Sequence, residues 1–226
     1  MTGRLRSSEA IVLRIRPYEE NHIIAHLLSP ELGKISAFAR AARRSVKRFG
    51  ALLEPGQSVV AYLQDPRSEL SSQMYRLDKL DPNKSLLGLR ESSHKLNACF
   101  FSLSLLDSNL PEGPVDSEIY SNLLAYLEAL NSCDGKGKIS WMKTLFWLKN
   151  AQLMGYGGLE KVLGDQLLLL RRVLKEHLPQ LVKIEYETLR DVPEDALPLI
   201  LRGDLEKLGF HWKQITGSDW AYEKLL

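Results

Sequence analysis

The sequence predicts an α+β protein, with a small β-barrel at the N-terminal end and an all-α half after it. Three observations predict this. Apolar and polar residues alternate with period two from Glu9 to about Leu80, in five short stretches rich in β-formers. Turn chemistry at Pro17, Ser29-Pro30, Glu54-Pro55-Gly56 and Asp65-Pro66 separates those stretches. After Asp81-Pro82 the period becomes helical. Five strands in about 70 residues suit a small closed barrel, of which a five-stranded OB-like barrel is one solution. An open antiparallel sheet fits almost as well. Two domains are expected, 1–80 and 81–226, and 226 residues suffice for each to bury a core.

The expected strands are 10–16, 22–28, 34–40, 57–64 and 72–79. In the first, Ile11, Leu13 and Ile15 turn inward and leave Arg14 and Arg16 on the opposite face. In the second, His22 and His26 have the spacing of a helical metal pair, but along a strand they stand about 13 Å apart, too far to share an ion. In the third, Ile35, Ala37 and Ala39 face the core, while Lys34, Ser36, Phe38 and Arg40 share the outer face. Beyond residue 81, Leu96, Cys99, Phe100, Leu103 and Leu106 fall on one helical face. Ile119, Leu123, Leu127 and Leu130 form a second, and Met142, Leu145 and Phe146 a third. A leucine-rich helix is expected over 159–178 and another over 195–208, with breaks at 111–114, 133–137 and 155–158.

Composition narrows the function classes. No apolar stretch approaches the roughly 18 residues of a membrane span, and the N-terminus has no secretory signal, so a cytoplasmic protein is expected. Two cysteines, Cys99 and Cys133, give no disulfide framework and no metal-ligand spacing. Gly135-Lys-Gly-Lys is not a P-loop and Gly155-Tyr-Gly-Gly is not a dinucleotide fingerprint. Neither GxSxG nor HExxH occurs, so no enzyme, cofactor or metal is expected. The net charge of +2 conceals an asymmetry: residues 1–50 carry ten Lys and Arg against four acids, net +6, and the remainder is −4. Such concentration at one end suits a polyanionic partner.

The stretch from Lys34 to Gly50 carries six basic residues and no acid. Cations beside an aromatic are what single-stranded nucleic acid requires, since the cations neutralise phosphates and the ring stacks on any base. The expected surface is Arg14, Arg16, Lys34, Phe38, Arg40, Arg43, Arg44, Lys47 and Arg48. A solvated basic loop is the alternative, and Phe38 reads equally as a stacking ring or a cap on the barrel core. In the helical half, Lys143, Phe146 and Lys149 lie at i, i+3 and i+6, a pattern that suits an acidic peptide ending in a hydrophobic residue. Core packing is the other reading of Phe146.

Several segments together resemble the N-terminal domain of the RecO family of bacterial recombination mediators: Glu9-Ala-Ile-Val-Leu-Arg, Gly33-Lys34, Ala39-Arg-Ala-Ala-Arg-Arg44 and Leu53-Glu-Pro55, in that order. The likeness runs through about the first 65 residues and continues loosely to Leu153-Met-Gly-Tyr-Gly157. It implies an OB-fold that binds single- and double-stranded DNA, joined to a helical domain. It also implies strand annealing, partnership with RecR in loading recombinase, and docking on the tail of single-stranded DNA-binding protein. Many members carry a four-cysteine zinc module after the Gly-Tyr. Here that segment has no cysteine, so no zinc is expected. A rival reading is an interaction scaffold whose basic surface meets an acidic protein.

Overall fold

The first strand, β1 (Leu5–Tyr18), is long enough to pair with two neighbours in succession, and that property closes the sheet. Its first half runs antiparallel to β4 (Ser58–Gln64) and its second half antiparallel to β2 (His22–Ser29). β2 continues into β3 (Gly33–Ala39), and β5 (Tyr75–Pro82) joins β4 antiparallel and β3 parallel. The order β1-β2-β3-β5-β4 is a closed barrel with no free edge, the OB-like solution among those the sequence allowed. The computed structural model describes residues 5–66 and 74–155; the helices expected over 159–178 and 195–208 lie outside them.

The barrel core follows period two. Ala10, Val12, Ala25, Leu27, Ile35, Ala37, Ala39, Val59, Ala61, Leu63, Leu77 and Leu80 fill it. Four of the five strands place at least one alanine there, and β3 two, as the narrow interior of a five-stranded barrel favours. Between β3 and β4, two short 3-10 turns (Ala42–Arg44 and Gly50–Leu52) carry the chain across one barrel end, and Ala42, Phe49 and Leu53 close it.

β1 departs from the single inward face that its alternation predicts. Ile11 and Leu13 are buried, but outside the barrel core, on the side where α1 (Ser93–Asn109) packs across β1. Pairing with β2 passes from Val12↔Leu27 directly to Arg14↔His26, so Leu13 is the extra residue of a β-bulge. The bulge switches the phase: Ala10 and Val12 face inward before it, and Ile15 does so after it. Arg14 and Arg16 still emerge on the outer face, both exposed.

Helix α1 begins at Ser92, whose hydroxyl accepts from the Lys95 amide at 3.2 Å, and ends before Pro111. Helix α2 (Ser117–Ser132) buries the expected Ile119, Leu123, Leu127 and Leu130, together with Tyr120 and Tyr126. On α1, Phe101 is buried and Phe100 is exposed, the reverse of the simple stripe. That helix is covered on two sides: Cys99 and Leu103 approach Gly56, and Tyr126 of α2 donates to the Ala98 carbonyl. Burial pushes the Cys99 thiol up to about 12, which leaves it unreactive. The chain divides into compact units 1–131 and 132–226, so α1 and α2 belong with the barrel. In the second unit the described helix is α3 (Lys136–Leu153).

Candidate nucleic-acid interface

The strand registers set out the outer face of the barrel row by row. Arg14 pairs with His26 and His26 with Ser36; Arg16 pairs with Ile24 and Ile24 with Phe38; Tyr18 pairs with His22. The row nearest the other end of β2 and β3 is Leu28 and Lys34. The rows have different fates.

The Leu28–Lys34 row and part of the next lie beneath the end of α1 and the segment after it. Lys34, which alternation predicts on the exposed face, is instead only 7% exposed. Its ammonium donates to the carbonyls of Asp107 and Leu110, the latter at 3.0 Å, and lies 3.4 Å from the Asp107 carboxylate. Ser36 donates to Glu112 at 2.5 Å, and the Lys34 and Gly113 backbones exchange two hydrogen bonds. Alternation placed Lys34 outward correctly, but outward here means toward a helix. Asp107 also meets His26 Nδ1 at 2.6 Å and Arg14 at 3.6 Å. Burial alone would raise the Asp107 pKa; the His26 hydrogen bond and charge, with Lys34, outweigh it and hold the carboxyl below its usual range.

The rest of the outer face is open, including the Arg14 end of the partly covered row. Arg14, Arg16, Tyr18, Arg40, Arg43, Arg44 and Lys47 are exposed. Among the described residues, Arg16, Arg40, Arg44 and Lys47 make no ion pair. The chain turns out of β3 through Ala41 at φ 53°, whose amide donates to His22 Nδ1 at 2.9 Å. The Arg43 amide and guanidinium then bond the Asn21 and Glu20 carbonyls, fastening the basic segment to the β1–β2 turn. Arg48 is committed to this local structure: it donates to Ser45 Oγ and the Arg40 carbonyl, with its guanidinium 4.9 Å from the Phe49 ring centre.

Phe38 stands on the outer face, half-buried, and Phe49 takes the role of closing the barrel end. Tyr18 meets Phe38 edge-on at 5.9 Å between ring centres, and the His22 ring lies 5.1 Å away. Sequence reading missed Tyr18 and His22, which become neighbours of Phe38 only through pairing across β1, β2 and β3. It also missed Arg76, opposite Phe38 in the parallel ladder. On α3, Lys143, Phe146 and Lys149 are 6%, 0% and 5% exposed, so they form no open docking face, and burial pulls the Lys143 pKa down to about 8.

A family model described as the recombination protein O N-terminal domain matches residues 1–84. Among curated proteins, the DNA repair protein RecO of Anaeromyxobacter sp. (strain K) is 32% identical over 122 residues, 54% of this chain and 47% of the relative. That of Koribacter versatilis is 34% identical over 127 residues, 56% and 50% of the two chains. That of Alkaliphilus metalliredigens is 27% identical over 156 residues, 69% and 59%. The chain thus spans about half the length of the curated relatives it matches. Residues 1–84, barrel included, are thus similar to the N-terminal domain of recombination protein O.

Proposed function

We propose that this protein acts in DNA repair and recombination as a non-enzymatic, cytoplasmic mediator that binds single- and double-stranded DNA on the open rows of its barrel. The observation that carries this reading is the set of exposed cations Arg14, Arg16, Arg40, Arg43, Arg44 and Lys47, on β1 and on the segment after β3, which Arg43 ties to the β1–β2 turn. The name shared by the relatives, DNA repair protein, supports the biological setting. Lys34 is omitted from the surface because its charge is spent on α1, and Arg48 contributes mainly to the shape of the segment.

The mechanism is electrostatic. Two complementary strands repel one another, and a cationic surface that releases their counterions lowers that repulsion. Contacts to phosphate and to base faces carry no sequence code and leave the pairing edges free. Annealing therefore needs no bond to be made or broken by the protein. Loading of recombinase onto strands coated by single-stranded DNA-binding protein, with RecR as partner, follows from the family resemblance.

The test is annealing of complementary oligonucleotides by the protein and by Arg43→Glu/Arg44→Glu. Both side chains are exposed, so the variant should fold normally and anneal markedly more slowly. Undiminished annealing by a folded variant would remove this surface from the mechanism.

A further inference from the structure

The open face of the barrel is not uniformly cationic. One register row crosses four strands as Arg16 (β1), Ile24 (β2), Phe38 (β3) and Arg76 (β5). Neighbouring strands lie about 4.8 Å apart, so the row spans about 14 Å, with a guanidinium at each end and an apolar centre. Arg76 turns outward because its neighbours Tyr75 and Leu77 pack against the core; its Nε lies 3.4 Å from Asp78, and the side chain is 42% exposed. Tyr18, 46% exposed, and His22 flank the centre.

Those rings are held in place. The Ala41 amide donates to His22 Nδ1, so that nitrogen is an acceptor and the ring proton sits on Nε2, 3.5 Å from Glu19. The imidazole is thereby fixed against Phe38, and Tyr18 is set edge-on to the same ring. An aromatic group fixed in advance loses little freedom when a ligand lands on it.

We infer that the Tyr18–His22–Phe38 cluster, with Ile24 in the same row and Arg16 and Arg76 at its ends, is a base-stacking subsite that takes unstacked bases of a single strand. The inference rests on the proposed DNA-binding function and deepens it. The cations of residues 40–47 meet phosphates, which single strands and duplexes both offer. A ring platform meets base faces, and in a duplex those faces are hidden in the stack. The two parts of the surface therefore do different work: the basic segment sets how strongly polyanions are held, and the row sets the preference for single strands. Charge complementarity favours this occupant over an apolar peptide, because an apolar centre bounded by two guanidiniums matches a base between its phosphates.

The test compares the full chain on two oligonucleotides of equal length and charge, one of mixed sequence and one abasic throughout. The wild type should bind the abasic strand about tenfold more weakly, the loss of a stacking contact or more. Tyr18→Ser and Phe38→Leu should remove that difference and leave the salt dependence unchanged, since no phosphate contact is lost. Tyr18 is exposed enough that its replacement spares the fold, and leucine keeps an apolar side chain opposite Ile24. Equal binding of the two strands by the wild type, with steep salt dependence, would overturn the stacking subsite and leave the DNA-binding function standing. A difference that survives both substitutions would place stacking elsewhere and overturn the assignment. Failure of the wild type to bind either strand would overturn both.

Discussion

Asp107 and Lys34 show how one side chain's chemistry decides which part of the barrel is surface. Lys34 is a cation on an outward strand position, and in isolation it would join the arginines around it. A buried carboxylate from α1 recruits it instead, along with His26 and one edge of Arg14. Lys34→Ala should therefore lower thermal stability and leave the salt dependence of DNA binding unchanged, the opposite of what a phosphate contact would give. Asp107→Asn should destabilise by about 3 kcal/mol in chemical denaturation, because it leaves a buried ammonium without its counter-charge. The pH dependence has a fixed sign. The Asp107 pKa is lower folded than unfolded, so its contribution is complete above the ordinary carboxylate value of about 3.9 and is lost as pH falls through the folded one. Denaturation of Asp107→Asn followed from pH 6 to 3 should show a shallower acid limb than wild type; an unchanged limb would contradict this role.

At the scale of elements, β1 and the crossing from β3 to β4 do most to position the interface. A single extra residue at Leu13 lets one strand bury Ile11 and Leu13 under α1 and still expose Arg14 and Arg16 on its outer face. The crossing 40–57 closes the barrel with Phe49 and carries Arg43, Arg44 and Lys47 outward on the same short path. Closure and cation display are thus coupled. Phe49→Ala should cost about 3–5 kcal/mol of stability. DNA affinity should fall with it as the segment loosens, measured where the variant is still folded.

These elements also show what was legible beforehand. Alternation places Ile35, Ala37 and Ala39 in the core and Phe38 outside, and the closed barrel agrees with the five-strand reading. Period two cannot reveal the bulge, because Ile11, Leu13 and Ile15 keep a regular spacing while the backbone changes phase beneath them. Nor can it say that a helix 70 residues later will cover Lys34. Tyr18, His22 and Arg76 are distant from Phe38 in sequence, and only strand pairing brings them together.

For the molecule as a whole, the charge asymmetry acquires a location. The excess of positive charge in residues 1–50 becomes a cationic end of the barrel once Lys34 is subtracted, and the acids of α1 and of the segment after it, Asp107 and Glu112, face the covered rows. The central claim is that this end binds single-stranded DNA through several phosphates at once. The direct measurement is fluorescence anisotropy of a labelled single-stranded oligonucleotide across a salt series, for wild type and Arg43→Glu/Arg44→Glu. With four to six phosphates engaged at about −0.7 each, log affinity should fall against log salt with a slope of roughly −3 to −4 in the wild type, and clearly less steeply in the variant. Binding that ignores salt, or a slope that the charge reversal leaves unchanged, would contradict the account.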